Sequence, residues 1–146
     1  MPAPVHHFPA DMEAIDRAID CVRDAGIAAS LSDDQVKKLE LVVEELFANS
    51  ATHTVRKARE AAGASCEDTK LSVWIVAIRT PTGLDIHYDD DGPAFDPTAV
   101  DLSTAKAAVS NGQVGGLGRV LIRSLPTEVH YRREDGRNRL VFRFNR

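Results

Sequence analysis

The sequence predicts an α+β domain of two layers, in which a mainly antiparallel sheet carries helices on one face. Apolar residues recur at three- and four-residue steps over two segments of the first 63 residues, as expected for amphipathic helices. Further along, two pairs of strand-like segments are each joined by a short turn, 81–83 and 134–136. Because hairpins pair antiparallel strands and the helices collect on one side of them, a two-layer sandwich is the expected architecture.

Two helices are predicted in the first half of the chain. Asp11 can cap the first, and Gly26 is expected to end it or to bend its last turn. Ser32 caps the second, which carries the strongest apolar periodicity of the sequence. This second helix is expected to run from about residue 33 to the mid-fifties, with an extension that Gly63 stops.

The remaining elements are strands and one short helix. The two hairpins are expected over 71–78 with 84–88, and over 127–133 with 138–144. A short edge strand is expected within 5–10, ended by Pro9, and a short helix over 119–124. Residues 98–114 are polar, small and weakly helical, which predicts a mobile segment.

Length and composition are those of one ordinary domain, 1–146, with 43% hydrophobic and 27% charged residues. The net charge of −4 argues against a direct nucleic-acid binder dominated by phosphate contacts. No apolar run approaches the roughly 18 residues that span a bilayer, and the first residues lack signal-peptide features, so we expect a cytoplasmic protein without membrane contacts. Acids gather over 85–101 and arginines over the last quarter, which suits a charged ligand, a protein partner or a solvated strand face.

The first candidate site lies on the second predicted helix. Glu45, Asn49 and His53 follow one another at steps of four residues, which places their side chains in one row beside the apolar stripe. An amide oxygen can ligate a Mg²⁺ ion that is bound to phosphate, and a carboxylate can accept a proton. The same spacing occurs on the polar side of ordinary helices, so the row by itself leaves both interpretations open.

The second candidate site is the segment 90–97, which follows a predicted strand and reads Asp-Asp-Gly-Pro-Ala-Phe-Asp-Pro. Asp90 can accept a hydrogen bond from an exocyclic amine, and Gly92 allows the backbone to approach a flat ring closely. The same residue types are usual in a surface turn. A calcium site is disfavoured because the segment lacks the EF-hand spacing and a closing Glu.

The third candidate site is the turn 115–118, Gly-Gly-Leu-Gly, which opens a predicted helix. Glycines there free successive backbone N–H groups to point at phosphate oxygens, and the helix N-terminus adds a favourable dipole. The turn is not a Walker loop, because no Gly-Lys-Ser/Thr follows, and it is not a Rossmann fingerprint, because no parallel strand–helix–strand unit surrounds it.

Taken in order, these parts resemble the GHKL family of ATP-binding domains, which has the Bergerat fold and includes gyrases and histidine kinases. The three segments match what that family calls its N, G1 and G2 boxes. Within the family the chain resembles the short anti-sigma-factor serine kinases of the RsbW and SpoIIAB kind, because segments 45–53, 91–97 and 131–138 are typical of that branch. The resemblance covers residues 5–144.

The resemblance implies a role for each site residue. Glu45 is expected to be the general base and Asn49 the Mg²⁺ ligand. Asp90 is expected to accept the adenine amine, with Gly92 beneath the ring and with residues 98–114 as the ATP lid. Further nucleotide contacts are expected from His53, Ala94, Phe95 and Gly115, and phosphate contacts from the backbone of Gly116, Leu117 and Gly118. The family often has a second glycine where Ala94 stands, a mild departure that the branch tolerates.

The resemblance also implies a reaction and its partners. It predicts a Mg-ATP-dependent protein serine/threonine kinase that phosphorylates a small anti-anti-sigma protein of the STAS fold and sequesters a sigma factor or another regulator. Phosphorylation would then switch partners, and a homodimer is expected because this branch is often dimeric. The alternative is a non-catalytic module in which ATP only sets partner affinity. Glu45 discriminates between the two, since a pure binder has no need of a base.

Overall fold

The computed structural model describes residues 2–63, 70–101, 103 and 117–146. Within these ranges the α-helices with complete bounds are α1 Ile15–Ala28, α2 Asp33–Asn49, α3 Val55–Ala62 and α4 Leu117–Ser124. The strands of the described residues are β1 His6–Pro9, β2 Ser72–Thr80, β3 Gly83–Asp90, β4 Glu128–Glu134 and β5 Arg137–Asn145. The described residues therefore form the predicted α+β fold, in which each element lies within a few residues of its expected bounds.

The strands form one antiparallel sheet in the order β1-β2-β3-β5-β4. β1 is an edge strand, as the sequence predicts. The register between β3 and β5 is important for the site, because it places Asp90 directly opposite Asn138 at the end of the two central strands. Residues of opposite strands in this position have side chains within reach of each other.

The second predicted helix is a continuous helical segment of three parts. Ser32 caps α2 by accepting a hydrogen bond from the N–H of Gln35 at 3.2 Å. A π-helical turn at Ser50–Thr54 joins α2 to α3, and Gly63 ends the segment at φ +98°. A π-turn inserts an extra residue and so reorients the side chains around it, and such turns are frequent at functional sites.

Gly26 lies in the last turn of α1. It does not end α1, which continues to Ala28. A Cβ atom at position 26 would lie 3.2 Å from Leu39 Cδ2 and 3.3 Å from Val36 Cγ2. The glycine is therefore the point where α1 packs closely against α2, and the chain turns beyond it at Ser30, which has φ +61°.

The core lies between the helices and one face of the sheet. Most of its largest fully buried side chains come from α2 and from the three central strands, and they include Phe47, Ile75, Ile86, Phe142 and Phe144. Burial of large apolar side chains is the main favourable contribution to folding. Among the described residues, no helix has the length and apolar character needed to cross a bilayer.

On the opposite face of the sheet, arginines of the last quarter of the sequence contact acidic residues of the 85–101 region. Arg143 binds Asp85 through two hydrogen bonds of 2.7 and 3.1 Å, and Arg139 lies 3.3 Å from Asp89. Arg137 stacks over the ring of Trp74 at 3.7 Å from its centroid. Much of the arginine-rich last quarter is therefore part of a polar strand face. A solvated strand face was one of the three explanations that the sequence left open for these charges.

Candidate functional site

Asp90 is a buried carboxylate at the end of β3, with only 7% of the residue exposed. Its Oδ2 accepts a hydrogen bond from Ser50 Oγ at 2.9 Å, and its Oδ1 accepts from the N–H of Gly92 at 3.1 Å and from Asn138 Nδ2 at 2.8 Å. Burial raises the pKa of Asp90, while these three donors act in the opposite direction. Since an ionised carboxylate has about four acceptor sites, one remains for a further donor such as an exocyclic amine.

Asn138 connects the Asp90 carboxylate to the loop that follows β3. Besides binding Asp90, its Nδ2 donates to the carbonyl oxygen of Pro93 at 2.8 Å. Its Oδ1 accepts from the N–H of Phe95 at 3.0 Å and from the hydroxyl of Tyr131 at 2.7 Å. Because Asn138 is itself buried, this one side chain fixes both the carboxylate and the conformation of the loop.

Gly92 lies against the π-helical turn. A Cβ atom at this position would be 1.8 Å from Thr54 Cγ2, and both Gly92 and Thr54 are buried. Arg133 of the terminal hairpin donates to the carbonyl oxygen of Gly92 at 2.6 Å. The glycine is therefore required by close packing, and the hairpin holds the backbone around it.

Together these residues form a small pocket next to Asp90 that is partly open to the surface. It is lined by Asn49, Ser50, Tyr88 and Phe95, among others, and its volume is about 20 Å³. A cavity of this size holds about one water molecule. A ring of the size of adenine would fit within this pocket only if a wall moved, and the described wall that belongs to neither a helix nor a strand is the 91–97 loop that carries Phe95.

A larger cleft of about 580 Å³ adjoins this pocket and shares Asn49 and Phe95 with it. The three residues of the predicted row all line the cleft, so they lie on one side of the helical segment. The remaining lining residues come from α3 and from the start of α4. In full, the cleft is lined by Glu45, Asn49, His53, Lys57, Phe95, Leu117, Gly118 and Arg119.

Glu45 lies directly against the first turn of α4. A Cβ atom on Gly118 would be 2.2 Å from Glu45 Oε2, so the absence of a side chain at position 118 leaves the space for this carboxylate. Partial burial raises the pKa of Glu45, and the charge of the neighbouring Glu44 raises it further. A carboxylate with a raised pKa is a stronger base, which suits proton abstraction.

The structure thus brings together most of the predicted site residues, but not all. Eight line one or both cavities or fix their walls, namely Glu45, Asn49, His53, Asp90, Gly92, Phe95, Leu117 and Gly118. Ala94 is exposed and lines neither cavity. Gly115, Gly116 and most of the predicted lid at 98–114 lie outside the described residues.

Sequence reasoning missed the side chains that support this site. Ser50, Tyr88, Tyr131 and Asn138 complete the hydrogen-bond network on Asp90, and Lys57 and Arg119 line the cleft. Asn138 belongs to a segment that is typical of the branch, but its position opposite Asp90 depends on the register of β5. Lys57 continues the four-residue row beyond His53, and that spacing was the one available signal for it.

The site fits the groups that the sequence implies. The free acceptor position on Asp90 suits an adenine amine, and α4 begins at the cleft with Leu117 and Gly118, where a helix N-terminus favours an anion such as phosphate. No group of three or more His, Cys, Asp or Glu that could hold a metal occurs among the described residues. Mg²⁺ is usually held by one or two protein oxygens together with substrate phosphates. Asn49 offers such an oxygen in the cleft.

The fold and the two cavities define a nucleotide-binding α+β domain. A family model described as the histidine kinase-like ATPase domain matches residues 8–144, nearly the whole chain, and the chain belongs to this family. Domains of this family bind ATP, usually with Mg²⁺, and the family includes kinases. Among individually curated proteins, none matches this chain significantly.

Proposed function

We propose that this domain is a Mg-ATP-dependent protein serine/threonine kinase of a partner-switching system. The observation that carries the proposal is that Glu45 and Asn49 line one cleft, which adjoins the pocket of the buried Asp90. A base, an oxygen ligand for a metal and an acceptor for adenine are the parts that phosphoryl transfer to a hydroxyl requires. A module that only binds nucleotide would need Asp90 without Glu45.

Each residue has a distinct task in the proposed reaction. Asp90 orients the nucleotide through the adenine amine, and Asn49 holds Mg²⁺ through its amide oxygen. When bound, Mg²⁺ would neutralise negative charge on the phosphates. Glu45 accepts the proton of the acceptor hydroxyl as its oxygen bonds to the γ-phosphorus, while the bond from that phosphorus to the β-phosphate oxygen breaks and ADP leaves.

The proposed acceptor is a serine or threonine on an anti-anti-sigma protein of the STAS fold, and the second partner is a sigma factor or a similar regulator. Support for this assignment comes from segments 45–53, 91–97 and 131–138, which are typical of the RsbW-like branch. Phosphorylation of the STAS protein would release it, and the domain would then sequester the regulator.

The product of the reaction tests the proposal. A STAS protein from the same genome is incubated with the domain and Mg-ATP, and its intact mass and phosphosite are determined. We expect one phosphoryl group on a serine or threonine, stable to acid. An acid-labile phosphohistidine would contradict the serine/threonine assignment. Nucleotide binding without transfer to any STAS protein of that genome would favour the binding module instead.

A further inference from the structure

Two cations flank one aromatic ring at the cleft. Lys57 Nζ lies 5.1 Å from the centroid of the Phe95 ring, and Arg119 Cζ lies 5.9 Å from it. Lys57 belongs to α3, which follows the π-turn, and Arg119 to the first turn of α4, next to Gly118. Two separate helices therefore bring positive charges to the same wall of the cleft that Glu45 and Asn49 line.

Neither cation has a carboxylate within 4 Å in the part of the chain that the structure describes. The arginines of β5 differ in this respect, because Arg137, Arg139 and Arg143 each have an aspartate within reach. Both cations line the cleft, and a positive charge without a paired carboxylate favours an anion nearby. The arrangement at Phe95 therefore suits an anionic ligand in the cleft.

We propose that Lys57 and Arg119 bind the phosphate oxygens of ATP, and that Phe95 holds both side chains at the cleft when it is empty. A cation over an aromatic ring at an exposed site is held weakly, whereas a hydrogen bond from a charged donor to a phosphate is one of the strong kinds. The two side chains therefore move from the ring to the phosphates when nucleotide binds. This inference rests on the ATP-binding part of the proposed function. It does not depend on which protein, if any, accepts the phosphoryl group.

The position of Phe95 links these cations to the adenine pocket. Its N–H is bound by Asn138, which also binds Asp90, and its ring lines both cavities. Entry of adenine displaces the wall that carries this ring, and the same displacement frees Lys57 and Arg119. The cations therefore add affinity for the triphosphate and contribute little to the binding of the nucleoside.

The test is a set of calorimetric titrations with Mg-ATP and with adenosine. The variants are Lys57→Gln, Arg119→Gln and the double variant. The controls remove the same charge from the same helices outside the cleft, at Arg59 of α3 and Arg123 of α4, both of which are exposed. Loss of one charge-assisted hydrogen bond weakens binding about tenfold or more. We expect this for ATP in each cleft variant and a loss of about 100-fold in the double variant, with no loss of affinity for adenosine.

Three results would overturn the inference. One is an unchanged ATP affinity in the double variant. Another is an equal loss in Arg59→Gln and Arg123→Gln, which would indicate a general effect of net charge. The third is an equal loss of adenosine affinity, which would mean that the variants damage the pocket itself. If the wild-type domain binds ATP through these cations but transfers no phosphate, the proposed kinase is contradicted and the cation assignment stands.

Discussion

The pocket at Asp90 and the cleft at Glu45 adjoin each other but are built in opposite ways. In the pocket the polar side chains of Ser50, Asp90 and Asn138 are buried, and they bind one another. In the cleft Glu45 is partly exposed, and Lys57 is exposed with no carboxylate near it among the described residues. The difference indicates that the proposed adenine contact is part of the folded core, whereas the groups proposed to bind the phosphates can be altered without unfolding the domain.

The largest effect is expected from Asp90→Asn. The carboxylate accepts hydrogen bonds from Ser50, Gly92 and Asn138, and the amide would replace one of its two acceptor oxygens with an NH₂ donor. A buried donor would then lack an acceptor, and the adenine amine would lose its partner. We expect ATP affinity to fall about 100-fold by calorimetry. Asp91→Asn is the matched control, because Asp91 is exposed and binds the N–H of Ser72 instead. Equal affinity in Asp90→Asn and the wild type would mean that the adenine assignment is wrong.

Gly92→Ala should damage the pocket through packing. The added methyl group would lie 1.8 Å from Thr54 Cγ2, and overpacking of this kind costs about 1–3 kcal/mol in the free energy of unfolding. Urea denaturation measures this loss. Thr54→Ser removes the clashing methyl group, so the double variant should recover part of the stability. If the double variant is no more stable than Gly92→Ala, Thr54 is not the cause.

Gly118→Ala should behave differently from Gly92→Ala, although its Cβ atom would also meet a neighbour. The clash is with Glu45 Oε2, the end of a flexible side chain, which can move aside. Alanine is also the better helix former by about 1 kcal/mol. We therefore expect no loss in the free energy of unfolding, but a transfer rate about tenfold lower at saturating ATP, because the base is displaced. A large loss of stability with normal transfer would contradict this role for Gly118.

The smallest effect concerns pH. The pKa of Glu45 is raised by burial and then by the charge of Glu44, so Glu44→Gln should lower it. A general base acts in its deprotonated form, and the transfer rate therefore falls as the pH decreases through its pKa. We expect the acidic limb of the kcat/KM profile to move to lower pH in Glu44→Gln, with the plateau unchanged. A shift to higher pH, or none, would contradict the electrostatic coupling of the two carboxylates.

The elements were predictable because each has a local signal. Ser32, Gly63 and the turn before Gly83 mark their boundaries directly, and the long apolar periodicity identifies α2. The row of Glu45, Asn49 and His53 was also predictable, since it depends only on helical spacing.

Other features depend on tertiary contacts that no local pattern encodes. The π-turn after Asn49 and the packing of Gly26 against α2 are two of these. The hydrogen bond between Asn138 and Asp90 joins residues 48 positions apart, so it follows from strand register alone. The cations at Phe95 likewise come from two helices and a loop, which the fold brings together.

The most direct test of the account is the single-turnover rate of phosphoryl transfer to the STAS protein at saturating Mg-ATP. Glu45→Ala is compared with Glu44→Ala. This control removes the adjacent carboxylate, which lines a groove between α1 and α2 instead of the cleft. We predict a rate at least about 100-fold lower for Glu45→Ala with ATP affinity nearly intact, and a rate close to wild type for Glu44→Ala. Equal rates for Glu45→Ala and the wild type would contradict the claim that this carboxylate is the base.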